Sequence, residues 1–164
     1  MPARFRIRPA VQADGAFLAD MVVEAANWRA GAARPRHQIL DDPGYSRYLV
    51  GWRRPSDTGA VAVDEQDQPI GAAWYRMLPR TEPGFGYIAT GVPELIIGVR
   101  PLWRAHGVGR ALLRGLVTDA RAQGYSRLGL SVERDNFART LYRSEGFVVT
   151  SSGRDRDTMV ARLN

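Results

Sequence analysis

The stretch from Leu95 to Leu113 constrains this chain more than any other. Leu95, Ile96, Ile97 and Val99 form an apolar strand, which Gly98 interrupts. The strand runs into the loop Arg100-Pro101-Leu102-Trp103-Arg104-Ala105-His106-Gly107-Val108-Gly109-Arg110, and the loop opens directly into a helix. A strand–loop–helix of this kind gathers backbone N–H groups and a positive helix terminus at one point, which suits a phosphate or pyrophosphate. The spacing Arg-x-x-Gly-x-Gly at Arg104, Gly107 and Gly109 is neither the dinucleotide fingerprint nor the P-loop, whose glycine intervals differ.

The 164 residues suit a single domain over 1–164, with enough chain for a sizeable core. No apolar run approaches the ~20 residues that span a bilayer, and no signal core follows the basic first residues. A cytoplasmic protein without membrane partners is therefore expected. Cysteine is absent, which excludes disulfides, thiolate zinc sites and an acyl group parked on a thiol. His37 and His106 are too few and too far apart for a histidine-rich metal site, so no metal is expected. All 23 basic residues are arginines, and the formal charge of +6 attracts nucleic acid or a polyphosphate ligand alike. The arginines are scattered without a dense basic run, so nucleic acid is not the expected partner.

Periodicity supplies the elements. Phe5 and Ile7 alternate with arginines in a first strand with one buried face. Phe17, Leu18, Met21, Val22 and Ala25 recur at helical spacing from Val11 to Trp28, and Gly31 and Pro35 end that helix. A shorter helix covers His37 to Asp42 and resumes from Tyr45 after an interruption at Pro43-Gly44. Gly59–Val63 and Pro69–Leu78 form a hairpin around Asp64–Gln68. The loop from Pro79 to Pro93 is too long for a plain connection, which points to function. The strand Glu94–Val99 follows, then a helix from about Gly109 to Gln123 with Leu112, Leu116 and Ala120 on one stripe. Leu128, Leu130 and Val132 mark another strand, Asn136–Glu145 a short helix, and Phe147–Thr150 and Thr158–Leu163 the last two strands. The order β-α-α-β-β-β-α-β-α-β-β implies an α/β (α+β) fold. Its mixed, mostly antiparallel sheet has one parallel crossover and helices on both faces.

Three stretches together carry a family resemblance: the strand–loop–helix, the segment Leu128-Gly129-Leu130-Ser131-Val132-Glu133-Arg134-Asp135-Asn136, and the helix from Asn136 to Gly146-Phe147. In this order they resemble the GCN5-related N-acetyltransferases (GNAT), over about residues 94 to 150. Before them only the element order matches. The resemblance implies the GNAT fold and transfer of acetyl from acetyl-CoA to a primary amine. Without cysteine, direct transfer in a ternary complex is the natural route. An acyl-CoA-binding sensor or interaction module without turnover is the alternative, and a homodimer is common in the family.

By the same resemblance, main-chain groups of Ile97, Gly98 and Val99 pair with the pantetheine arm. The pyrophosphate lies on the N–H groups of Arg104, Ala105, His106, Gly107, Val108, Gly109 and Arg110. Arg104 or Arg110 adds charge, while His106 reads first as an exposed loop residue. Ala105 stands where the family more often has glycine. Alanine resists positive φ, and Gly107 and Gly109 remain where the backbone must approach closely. Asn136 caps the last helix and, by resemblance, bonds the coenzyme arm. Phe137 and Arg139 lie near its adenine or 3′-phosphate end, or are exposed packing. Tyr142 falls at the general-acid position, where a phenol can protonate the leaving thiolate; the plain alternative is a core tyrosine. The amine needs a proton acceptor: Glu94, whose facing depends on a one-residue register, Glu82 in the long loop, or a water relay. Trp28, Tyr45, Tyr48, Trp74, Tyr75, Phe85 and Tyr87 are candidates for an aromatic wall around an unidentified acceptor.

Overall fold

The computed structural model describes residues 4–29, 31, 33–81 and 85–163. Glu82 lies outside these residues. Seven strands form one sheet in the order β1-β2-β3-β4-β5-β7-β6. They are β1 (Phe5–Pro9), β2 (Thr58–Asp64), β3 (Pro69–Arg76), β4 (Glu94–Val99), β5 (Arg127–Glu133), β6 (Val148–Ser152) and β7 (Arg156–Arg162). All neighbours are antiparallel except β4 and β5. The helices are α1 (Gly15–Ala26), α2 (Arg36–Asp41), α3 (Pro43–Ser46), α4 (Val108–Ala122) and α5 (Ala138–Ser144).

The central strands are buried on both faces, and alternation deals their residues to two cores. Val61, Val63, Ala72 and Trp74 pack with Leu18, Met21, Val22 and Ile39 on the α1–α3 side. Ala60, Ala62, Ala73, Tyr75 and Leu95 pack with Leu112, Leu113 and Leu116 of α4 on the other. Helix α4 fits this role because its leucines share one stripe while Arg110, Arg114 and Arg121 face outward. Gly98 sets the spacing on the α1 side. A Cβ there would stand 2.2 Å from the carbonyl oxygen of Met21, so α1 rests directly on β4.

The expected element order is present, with three local corrections. Strand β1 lies at the sheet edge, and Ile7 is 36% exposed rather than covered. Helix α1 stops at Ala26, because the Asn27 side chain exchanges hydrogen bonds of 2.9 and 3.0 Å with the Arg34 backbone and turns the chain early. Pro43-Gly44 opens a helix instead of interrupting one: Pro43 is its first residue, and the Asp42 carboxylate accepts the Gly44 N–H at 2.9 Å.

Candidate active site

The parallel ladder between β4 and β5 reduces to Glu94 opposite Gly129, secured by the Gly129 N–H donating to the Pro93 carbonyl at 3.0 Å. Beyond it the strands keep only their outer partners, β3 and β7. A cavity of about 470 Å3 lies in the resulting seam, walled by residues 95–99 of β4 and 130–133 of β5. The Arg100 N–H bonds the Ile70 carbonyl at 2.8 Å, so by alternation Ile96 and Gly98 turn their main-chain groups toward β3. Leu95, Ile97 and Val99 turn theirs toward β5; the Leu95 N–H closes the Glu94–Gly129 bridge, and Ile97 and Val99 are left facing the open seam. Gly98 lines the cavity with its main chain committed to β3, and its small size admits α1.

The loop closes one end of the cavity. Pro101–Trp103 makes a 3-10 turn, whose geometry takes up the Arg104 N–H on the Pro101 carbonyl at 3.3 Å. Ala105 then adopts a φ of +63° and Gly107 one of +84°, so alanine itself enters the left-handed region. That costs roughly 1–2 kcal/mol at a non-glycine residue. The first helical bond runs from Ala111 to Gly107. The N–H groups of Val108, Gly109 and Arg110 are therefore first-turn donors without intrahelical acceptors, aimed at the cavity end with the helix dipole behind them. The Arg104 side chain pairs with Glu24 at 3.3 Å. That of Arg110 pairs with Glu145, which Arg114 also holds at 3.0 Å. The Arg114 and Arg110 hydrogen bonds draw the Glu145 carboxyl below its ordinary range. His106 is exposed and sets its ring edge against Trp103 at 5.8 Å, while Trp103 lines the cavity.

Asn136 caps α5 through its Oδ1, which accepts the Ala138 N–H at 2.9 Å, and it borders the cavity. Phe137 stands on the lip, 84% exposed. Arg139 turns away to Asp157 at 3.0 Å. Tyr142 lines the cavity and is buried; burial pushes its phenol up to about 12, with Arg156 opposing.

Glu94 is buried and stands behind Tyr48 instead of on the cavity wall. The Tyr48 hydroxyl donates to Glu94 Oε2 at 2.9 Å and accepts the Phe85 N–H at 3.1 Å, and the Gly86 N–H also donates to Oε2. Tyr48 itself lines the cavity, and burial first, then Glu94, raises its phenol well above the ordinary value. Arg76 holds the segment that carries Tyr48: its guanidinium binds the carbonyls of Arg47 and Val50 and pairs with buried Asp57 at 2.5 Å.

The structure sorts the aromatic candidates. Trp28, Tyr45, Tyr48 and Phe85 line the cavity. Trp74 and Tyr75 are core residues on opposite sheet faces, and Tyr87 meets Thr90 outside the cavity. Sequence reasoning missed Glu133 and Arg156, which also line the cavity. They belong to strands β5 and β7, and only the cross-strand register makes them neighbours. Among the described residues, no acidic or histidine cluster is built to hold a metal, and no helix is long and apolar enough to cross a membrane.

The family model described as the acetyltransferase (GNAT) family matches residues 22–147. A mycothiol acetyltransferase from Jonesia denitrificans is 29% identical over 144 residues, 87% of this chain; the chain spans 41% of that relative's length. The PaiA N-acetyltransferase of Thermoplasma acidophilum, solved with coenzyme A, superposes with a TM-score of 0.71 at 19% identity, covering 97% of this chain and 99% of that one. YncA of Salmonella typhimurium, solved with acetyl-CoA, gives 0.66 at 24% identity, covering 99% and 95%. The opened β4–β5 seam, the left-handed loop ahead of α4 and a family match running through both have one meaning: this chain belongs to the GNAT family of acetyltransferases.

Proposed function

We propose that the chain transfers acetyl from acetyl-CoA directly to a primary amine, both substrates being bound at once. The observation that carries this is the continuity of the seam with the first turn of α4 in one cavity. The main-chain groups of Ile97 and Val99 meet an extended amide-bearing arm as a strand would. The N–H groups of Val108, Gly109 and Arg110 meet a pyrophosphate. Asn136 stands beside that path with its cap made. Reliance on acetyl-CoA accords with a cytoplasmic location.

The amine nitrogen attacks the thioester carbonyl, and the C–S bond breaks as the N–C bond forms. Holding both reactants in one cleft supplies much of the acceleration. Tyr142 donates to the departing sulfur. Burial keeps its phenol protonated across the neutral range, so the proton is in place when the thiolate leaves. Glu94 accepts the amine's proton through Tyr48: the hydroxyl takes a proton from nitrogen as it gives its own to Oε2. Solvent then reprotonates Tyr142 and deprotonates Glu94.

Titration with acetyl-CoA tests the donor, followed by a thiol-release screen over amines. A hundredfold excess over Kd stabilises the fold by about 2.7 kcal/mol, a rise in Tm of roughly 5–10 °C. No shift overturns the donor reading. A shift with no thiol release from any amine leaves a sensor in place of an enzyme. Glu94→Gln is expected to keep the shift and slow turnover. Wild-type turnover in that variant would remove Glu94 from proton transfer.

A further inference from the structure

The cleft continues past the reacting centre into a polar chamber of about 300 Å3, which shares Trp28, Tyr45, Phe85, Glu133 and Arg156 with the main cavity. Glu133 and Arg156 are register partners on adjacent antiparallel strands, where opposite charges ordinarily pair. They are not ion-paired. Arg156 leans back, donating from Nε to Ser131 Oγ at 2.8 Å and stacking its guanidinium 4.4 Å over the Phe85 ring. Glu133 instead accepts the indole N–H of Trp28. Cation and anion are thus held apart across the chamber, each by an aromatic side chain.

A second cation faces the same space. Arg34 stacks over Tyr45 at 5.5 Å and donates to the Tyr45 hydroxyl at 3.2 Å, with no carboxylate partner among the described residues. Arg29 also borders the chamber but pairs outward with Asp135 at 3.5 Å. Asp42, the remaining acid there, caps α3. Arg156 also lies close to the chemistry, since its charge favours ionisation of both Tyr48 and Tyr142.

We infer that the acceptor is a small amine carrying an oxyanion a few bonds from its nitrogen, of the α-amino-acid kind, with Arg156 and Arg34 taking the oxyanion. Guanidinium groups seated over aromatic rings present a planar fork to a carboxylate. Glu133 attracts the ammonium end and repels a carboxylate in the reversed pose. A polyamine or a basic side chain without an oxyanion meets two arginines with nothing to offer them.

This inference rests on the proposed acetyl transfer, and its test separates the two. Thiol release is measured with acetyl-CoA and matched pairs: protein amino acids, their C-terminal amides and the decarboxylated amines. The expected result is at least a tenfold preference in kcat/KM for an acid over its amide. Arg156→Gln should abolish that preference by raising KM for the acid, leaving the acetyl-CoA thermal shift unchanged. Equal use of acid and amide, turnover confined to amines without an oxyanion, or an Arg156→Gln variant that keeps the wild-type preference for acid over amide each overturns the inference. If nothing in the panel turns over, an additional thermal shift of the CoA-saturated enzyme with an amino acid, absent with its amide, supports it. No such shift overturns it. Loss of the acetyl-CoA shift itself would instead sink the donor reading.

Discussion

Tyr142 combines two properties that a packing residue need not have: it reaches a ligand-sized cavity, and its phenol is held near 12 by burial. Tyr142→Phe removes one oxygen from a well-packed ring and should cost turnover about 10²-fold or more, the usual scale for a lost general acid, with acetyl-CoA affinity nearly unchanged. Full activity in that variant would make Tyr142 a core residue. The same burial predicts an alkaline effect on stability. Its pKa is higher folded than unfolded, so the contribution is intact below about pH 10 and is lost as the pH rises toward 12. Tyr48 shifts in the same direction. Melting curves should fall above about pH 10, less steeply for Tyr142→Phe; an identical fall in both proteins would mean that the phenol is not responsible.

Among the elements, β4 does the most positioning. Its even-numbered residues bond β3 and face α1, while its odd-numbered ones turn their main chain into the seam. Gly98→Ala forces α1 away from the strand, because the obstacle is the Met21 backbone and not a movable side chain. A loss of about 1–3 kcal/mol is expected, the scale of overpacking, and denaturant unfolding would measure it. Wild-type stability in that variant would show that α1 yields freely. Much at this scale was legible in the sequence. Helix α4 was readable because Leu112, Leu116 and Ala120 mark one stripe, and so was the glycine loop before it. The start of α3 was not, since Pro-Gly reads equally as a breaker until Asp42 is seen to cap it. The facing of Glu94 depended on a register that alternation alone leaves ambiguous by one residue.

Across the whole molecule, what the sequence concealed was non-local. Sorting Trp74 and Tyr75 from Trp28, Tyr45 and Phe85 requires knowing which sheet face each strand shows. The Glu133–Arg156 relation exists only once β5 and β7 pair. Arg76 belongs here too, as a buried cation joining β3 to Asp57 and to the segment around Tyr48. Arg76→Met leaves Asp57 buried without its cation, and about 3–5 kcal/mol of lost stability is expected; a chemical-denaturation midpoint equal to wild type would contradict this. The parted strands have a consequence of another kind. A sheet with an open seam is short of one strand, and under the proposed function the donor's pantetheine arm supplies it. Amide hydrogen exchange should therefore slow at Ile97 and Val99 when acetyl-CoA binds, while Ile96 and Gly98, already bonded to β3, and Leu95, whose N–H closes the Glu94–Gly129 bridge, barely change. The coenzyme would then be a removable piece of the fold, and the steady-state level of intact protein in a cell would rise and fall with its acetyl-CoA supply.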